Sequence, residues 1–409
     1  MASIETYDII VVGLGAHGSS ALWHLSRTGK KIAGIDRFRP PHIRGSSHGE
    51  SRIIRQAYHE NPVYVPLVQA AYPLWKELGE AAGKTLFQKT GGLLLGTKDS
   101  AVVSGAKLSA ETHGIPYDYL DAAGISKRFP AFRPGPDTVG VLEQEAGILF
   151  PEAAITALLQ AAAAGGATIR TDEQVIKIIP SAGGIELTTS KGRYRTQKLI
   201  VSAGAWLNTF FPELQLPLAI RRQVLFWFSD AAVASPIAAA AASPSAAAAN
   251  PAAASPIAQP HNPGRFHPAN MPVFIWEYAP GELFYGIPDL GDGIKLGWHH
   301  GGLPVNPDEL TQHVGKEEIA AMQKKAAENL TINPIFQKSC VCMYTSTPDE
   351  DFIIDLHPQH PGVVIASPCS GHGFKFSVII GRLLADLALE RATGFDLTPF
   401  SIQRKVLAG

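Results

Sequence analysis

Asp8-Ile9-Ile10-Val11-Val12-Gly13-Leu14-Gly15-Ala16-His17-Gly18 begins as an unbroken apolar run and ends in three closely spaced glycines. An apolar, β-branched run without alternation suits a strand buried on both faces of a parallel sheet, and a glycine at its end suits a tight turn. The residues that follow put Ala21, Leu22 and Leu25 on one helical face, with Gly29 closing the helix. Lys31-Ile32-Ala33-Gly34-Ile35-Asp36 reads as the next strand, which completes a βαβ unit. Within it, Gly13 lets the backbone turn, Gly15 lets a pyrophosphate approach, and Gly18 lets the helix pack on the strand, while the helix N-terminus supplies positive potential. Asp36 stands about 20 positions on, where an acidic side chain recognises a ribose. The pattern specifies a dinucleotide and does not separate NAD from FAD.

Outward from this unit, Leu199-Ile-Val-Ser-Ala-Gly204 and Gly362-Val-Val-Ile-Ala366 suit further strands of the same sheet, the latter leading into a helix from Phe376 to Leu389. The cofactor domain is therefore expected to be assembled from discontinuous pieces. Gly281-Glu-Leu-Phe-Tyr-Gly286 and Gly293-Ile-Lys-Leu-Gly-Trp298 alternate with a period of two, as antiparallel strands do when one face looks into a pocket. Residues 231–259 are nearly all Ala, Ser and Pro; a poorly ordered surface excursion is expected there, because small side chains bury too little area to offset the entropy of ordering.

The 409 residues are 45% hydrophobic with a formal net charge of -1, enough for large cores and without the basic footprint that nucleic acid or an anionic membrane would call for. Cys340, Cys342 and Cys369 form an odd set with no Cys-x-x-Cys spacing, which argues against a disulfide scaffold or a zinc site and for a reducing compartment. With no signal-like or bilayer-length segment, the expectation is a cytoplasmic protein with a small-molecule substrate, no metal, no membrane and no nucleic-acid partner.

Four segments carry candidate chemistry. Pro41-His-Ile-Arg-Gly-Ser-Ser-His-Gly-Glu-Ser-Arg-Ile-Ile-Arg55 gathers cations on flexible backbone, which suits a phosphate or ring contact and equally suits a solvated loop. Lys295 lies on the strand face opposite Ile294 and Leu296, where most lysines meet water but one turned inward would be a fixed charge. Ser370-Gly-His-Gly-Phe-Lys375 precedes a helix, so its N–H groups and the helix dipole could stabilise an anion. A thiolate at Cys340 or Cys342 could bond a cofactor ring, although a plain buried thiol is the ordinary reading, and composition does not choose between the two.

On Gly13-x-Gly-x-x-Gly18, Pro40-Pro-His, Gly45-Ser-Ser-His-Gly-Glu-Ser-Arg-Ile-Ile-Arg55, Tyr64-Val-Pro-Leu67, Val201-Ser-Ala-Gly-Ala-Trp206, Cys342-Met-Tyr-Thr-Ser-Thr-Pro-Asp-Glu-Asp-Phe-Ile-Ile-Asp355 and Ser370-Gly-His-Gly-Phe-Lys375, the chain resembles the family of monomeric sarcosine oxidase and N-methyltryptophan oxidase. Pipecolate and fructosyl-amino-acid oxidases are more distant relatives, and the likeness runs nearly the whole chain apart from the Ala-rich insertion. The resemblance implies an α/β fold of the glutathione-reductase-like FAD superfamily. A Rossmann-like FAD-binding domain would comprise residues 1–88, 149–221 and 345–409; a substrate domain with a mainly antiparallel sheet would comprise 89–148 and 222–344.

The resemblance further implies FAD held by a thioether from Cys342, with Gly13, Gly15, Gly18, Asp36, Arg37, Ser46, His48, Arg52, Val175, Gly204, Gly371, Gly373, Phe374 and Lys375 around it. Arg55 and Lys375 would grip the carboxylate of an amino-acid substrate, which suits two cations fixing one anion. Tyr285, His299 and Tyr344 would surround its amine, His48 and Arg52 would lie against the ring, and Lys295 would be the cation that assists O2. The implied reaction is oxidation of a secondary N-methyl amino acid, sarcosine above all, by a monomeric enzyme that releases hydrogen peroxide. Ser47 and Gln56 stand where the family often has histidines, and Pro368-Cys369 where it has a small, flexible pair, so substrate size is the least determined part of the implication.

Overall fold

The computed structural model describes residues 4–231 and 264–407, so the Ala-rich stretch from 232 to 259 lies outside the described residues. The first strand is Glu5–Val12, and it pairs in parallel on one side with Ile32–Ile35 and on the other with Arg193–Val201. Thr168–Arg170 extends one edge in parallel and His360–Ser367 pairs in parallel with the far end of Arg193–Val201. The side chains sort by alternation: Ile9 and Val11 pack with the helices, while Ile10 and Val12 join a second cluster on the opposite face. That two-sided burial is the physical reason the run contains no polar residue.

The helix Ala16–Ser26 starts directly after Gly15 and lies beside Ser377–Ala388, so close that a Cβ on Gly381 would stand 2.1 Å from Ser20 Oγ. The expected helix over 376–389 is thus present and serves as a cover of the parallel sheet.

A second eight-stranded sheet holds, in spatial order, Pro334–Ser346, Ala219–Asp230, Ile294–Trp298, Glu282–Ile287, Val273–Ala279, Gly92–Gly96, Val139–Glu143 and Tyr117–Leu120. Its pairings are antiparallel except that of Val273–Ala279 with Gly92–Gly96. The expected strands at 281–286 and 293–298 are hairpin neighbours in it. Phe226, Phe228, Phe274, Trp276, Phe284, Ile294 and Leu296 pack together as a core on one face. By the period of two, the other face carries Leu225, Trp227, Tyr285, Lys295, Cys340, Cys342 and Tyr344. Gly297 leaves room on that face, since a Cβ there would meet the Tyr285 ring at 2.7–2.9 Å.

A small sheet of Arg52–Ile54, Gly147–Leu149 and Phe87–Lys89 ties the end of the basic loop down between the two larger sheets. Among the described residues, no helix is long and apolar enough to cross a membrane.

A methyl group on Gly18 would fall 1.8 Å from Gly13 O, which is backbone and cannot swing aside. Gly18→Ala is therefore expected to lower the thermal unfolding midpoint by about 2–3 °C, equivalent to about 2 kcal/mol, as read by differential scanning calorimetry.

Candidate functional site

A long cleft opens where the parallel strands end and the chemistry-bearing face of the second sheet begins. One end is built from the turn after the first strand. Gly13 has φ +85° and a Cβ there would sit 2.4 Å from Ser202 O, so only glycine lets the two crossing chains approach. At Gly15 the Cβ would meet only Ser47 Oγ, at 3.6 Å, leaving the backbone approachable from the cleft. Asp36 is almost wholly buried; its Oδ2 accepts from Leu14 N at 2.7 Å and its Oδ1 from Phe38 N at 2.8 Å, fixing the carboxylate at the rim of the cleft. These are the features a dinucleotide requires: a backbone free to approach phosphates, a helix N-terminus, and a fixed acidic group for a ribose.

Near this end, Arg37 is ion-paired at 2.6 Å with Asp308, which also accepts from Trp206 Nε1 at 3.1 Å. Trp206, Phe38 and His42 line the same region. Asp308 comes from the connection after Ile294–Trp298, so a segment attached to the second sheet clasps this end of the cleft.

The other end is cationic. Arg55 is 2% exposed; its Nη2 donates to both carboxylate oxygens of Glu60 at 2.5 and 2.6 Å, its Nη1 donates to Ala57 O at 3.0 Å, and its buried Nε finds no hydrogen-bond partner among the described residues. Burial works against charge on Glu60, yet the Arg55 guanidinium holds its carboxyl well below the usual range. Lys375 is 5% exposed, with Nζ donating to His372 O at 2.8 Å; burial, helped by Arg55, lowers it to about 7. Both cations lie over the Tyr58 ring, at 4.3 and 5.1 Å from its centroid. Tyr58 in turn is bonded at 2.5 Å to His372 Nδ1, whose other nitrogen meets Glu350 O at 3.0 Å. A carbonyl can only accept, so His372 carries its proton on Nε2 and takes the Tyr58 hydroxyl proton as a hydrogen bond on Nδ1.

Between the ends stand the side chains of the second sheet. Tyr285, His299, Tyr344 and Cys342 line the cleft. Burial drives His299 well below its ordinary value, leaving it neutral, and raises both tyrosines, leaving them protonated. Cys342 is 1% exposed and lines the cleft, whereas Cys340 is only partly buried and does not. Burial raises both thiols, Cys340 to about 11, while Arg52 and Lys295 pull both back towards the thiolate. The structure thus separates two cysteines that are alike in sequence.

Of the residues singled out from sequence, Gly13, Gly15, Asp36, Arg37, Ser46, Arg52, Arg55, Val175, Gly204, Tyr285, His299, Cys342, Tyr344, Gly371, Gly373, Phe374 and Lys375 all line this one cleft. Gly18, His48 and Lys295 do not. Gly18 packs behind the turn. His48, lowered to about 4 by burial and then by Arg52, meets Val341 O through Nε2 at 3.0 Å and leaves Nδ1 buried without a partner among the described residues. Lys295 is 2% exposed rather than solvated: its ammonium donates to Gly49 O and Ser51 O at 2.7 Å and to Ser51 Oγ at 3.2 Å, one layer behind the lining. Burial pushes it well below the usual lysine value, and Arg52 adds to that.

Sequence reasoning missed the carboxylates. Glu60 pairs with Arg55, Glu143 accepts from Gln56 N and Ala57 N, and Glu152 accepts from Gly49 N and Glu50 N. An acidic residue five positions after Arg55 was a visible signal for the first; the other two are brought in by distant elements and left no local trace.

A family model described as FAD dependent oxidoreductase matches residues 8–246 and 237–387. The chain is 36% identical over 408 residues to a protein described as monomeric sarcosine oxidase from Streptomyces avermitilis, covering 98% of this chain and 99% of that one. It is 32% identical over 409 residues to one described as N-methyl-L-tryptophan oxidase from Salmonella heidelberg, covering 97% and 99%. Among solved structures it resembles NikD, described as an unusual amino acid oxidase, with a TM-score of 0.79 at 23% identity over 97% of each chain; that likeness speaks to the fold alone.

His17, His24, His48 and His372 are each lowered from 6.5 to about 4, with burial the largest cause. Between those two pH values the unfolded chain binds protons that the folded chain does not, so stability rises with pH across that window and is lost as pH falls through it. Thermal midpoints of the protein measured from pH 4 to 7 should climb steeply up to about pH 6.5 and more gently beyond it, where Lys375, lowered from 10.5 to about 7, continues the rise.

Proposed function

The chain belongs to the FAD dependent oxidoreductase family, in the branch with monomeric sarcosine oxidase and N-methyl-L-tryptophan oxidase, and on that premise we propose that it oxidises a secondary N-methyl amino acid, with sarcosine as the leading substrate and glycine, formaldehyde and hydrogen peroxide as products. The observation that carries the reading is the pair of buried cations, Arg55 and Lys375, at the end of the same cleft whose other end has the dinucleotide turn. A buried cation is costly unless an anion meets it; Glu60 meets Arg55, but Lys375 has no ion pair among the described residues and the Arg55 Nε has no acceptor there. FAD, when bound, would supply the two-electron oxidation of the C–H beside the amine, with O2 as the final electron acceptor.

The chain's own residues do the rest. Arg55 and Lys375 fix the substrate carboxylate, and with Glu60 already on Arg55 Nη2, an incoming carboxylate takes the Nε side or displaces Glu60. Two-point anchoring orders the amine end towards Tyr285, His299 and Tyr344. Neutral His299 places no like charge beside the substrate amine and can accept a hydrogen bond from it, while the lone pair that oxidation needs is present in substrate bound as the free amine. Arg52 supplies a polar group at the ring end of the cleft with His48 packed behind the lining, and Lys295, held on Gly49 O and Ser51 O, would in its protonated form stabilise negative charge developing on oxygen. Ser46, Gly204, Val175, Gly371, Gly373 and Phe374 complete the walls that hold the cofactor.

Cys342 is the residue we assign to covalent attachment of FAD, because of Cys340 and Cys342 it alone lines the cleft, and Arg52 and Lys295 nearby favour its thiolate as they do that of Cys340. Cys342→Ser should leave FAD bound but released by acid precipitation, and wild-type protein should show the flavin mass on the intact chain. Retention of covalent flavin by the variant would move the link to another thiol.

Substrate class is tested by mixing the holoenzyme anaerobically with sarcosine, N-methyltryptophan, pipecolate and fructosyl amino acids. Flavin bleaching is expected to be fastest with sarcosine and absent with N-methylated amines that lack a carboxylate. Equal bleaching by carboxylate-free amines would remove the proposed role of Arg55 and Lys375.

A further inference from the structure

Glu143 ends the strand Val139–Glu143 and is 0% exposed, yet it forms no ion pair within contact distance among the described residues. Its partners are backbone: Gln56 N donates to Oε1 and Oε2 at 2.8 and 2.9 Å, and Ala57 N donates to Oε2 at 2.7 Å. A carboxylate wholly out of water costs several kcal/mol unless its lone pairs are filled, so such a group persists where its hydrogen bonds hold something in place. What these bonds hold is the pair of residues immediately after Arg55. Arg55 Nη1 donates to Ala57 O at 3.0 Å, so the guanidinium is braced on the carbonyl that directly follows the two amides Glu143 pins. Glu60 grips only Nη2. The brace through Ala57 therefore does not depend on Glu60 and survives when Glu60 gives way to a substrate.

We propose that Glu143 is the positioning residue for the carboxylate-binding arginine: by anchoring the Gln56 and Ala57 amides from below, it keeps the Arg55 guanidinium aimed into the cleft while the anion on its outer edge is exchanged. This rests on the reading of Arg55 as the anchor of the substrate carboxylate. Glu143 never meets the substrate; it acts through the turn, and its negative charge lies close enough to Arg55 to favour the charged guanidinium. A group that merely stabilised the fold would affect stability without singling out anion affinity.

The test uses purified holoenzyme and the Glu143→Gln variant, which keeps the side-chain shape but removes the charge and one acceptor. Steady-state kinetics with the preferred amine and the dissociation constant of acetate, an inert carboxylate read from the flavin absorbance, are measured together. The expected result is a KM and an acetate Kd both raised about tenfold, the loss of roughly one charge-assisted hydrogen bond, with kcat within about twofold. A KM and Kd unchanged from wild type, or a loss confined to kcat, would overturn the proposal. Should the variant fail to fold, amide exchange on wild type decides: the Gln56 and Ala57 amides stay protected when acetate binds, and loss of their protection overturns it. Arg55→Lys serves as the control for the underlying reading. Acetate binding unaffected by Arg55→Lys would refute the carboxylate site itself, whereas acetate binding lost in Arg55→Lys but intact in Glu143→Gln would refute only the role of Glu143.

Discussion

The alternation of side chains across the second sheet is the constraint on which the rest depends. Because successive residues point to opposite faces, one ladder of strands can seal an aromatic core with Phe226, Phe274 and Phe284 and offer Tyr285, Cys342 and Tyr344 to the cleft from the intervening positions, with Lys295 on the same face one layer behind. A slip of one residue would bury the reactive groups in the core and turn phenylalanines into the cleft, so the register is held by a large apolar penalty. The chemistry is in this sense a by-product of core packing. Gly297 and the positive-φ Gly13 then carve the space that side chains would otherwise fill.

Charge is handled with equal economy. Arg55, Lys375 and Lys295 are buried, and each is held by carbonyls, by an aromatic face, or by a carboxylate drawn from elsewhere in the chain. Glu60 lines the cleft beside Arg55, while Glu143 and Glu152 lie outside the lining and bind backbone N–H groups rather than cations. The histidines nearby are kept neutral by burial, so the cleft presents few fixed charges, and those few are oriented.

The dinucleotide turn was legible in sequence because its requirements are local: strand, glycine spacing and Asp36 all fall in the first forty residues. The face of Lys295 was legible from the period of two, but whether that face met water or protein depends on the Gly49 to Ser51 turn, far away in the chain. Cys340 and Cys342 share a face and a composition, so only the edge of the cleft tells them apart. The supporting carboxylates were invisible for a related reason. Glu143 ends an ordinary strand and Glu152 opens an ordinary helix, and their partners are peptide groups that no side-chain pattern announces.

The clasp of Arg37 and Trp206 by Asp308, with Gly371 to Lys375 on the opposite wall, has a bearing on biogenesis. The nascent polypeptide exposes its phosphate-binding turn almost at once, yet the walls that would retain a ligand emerge from the ribosome only near the end of synthesis. A chain cut short before Gly371 would lack that wall of the cleft, however well its first βαβ unit forms.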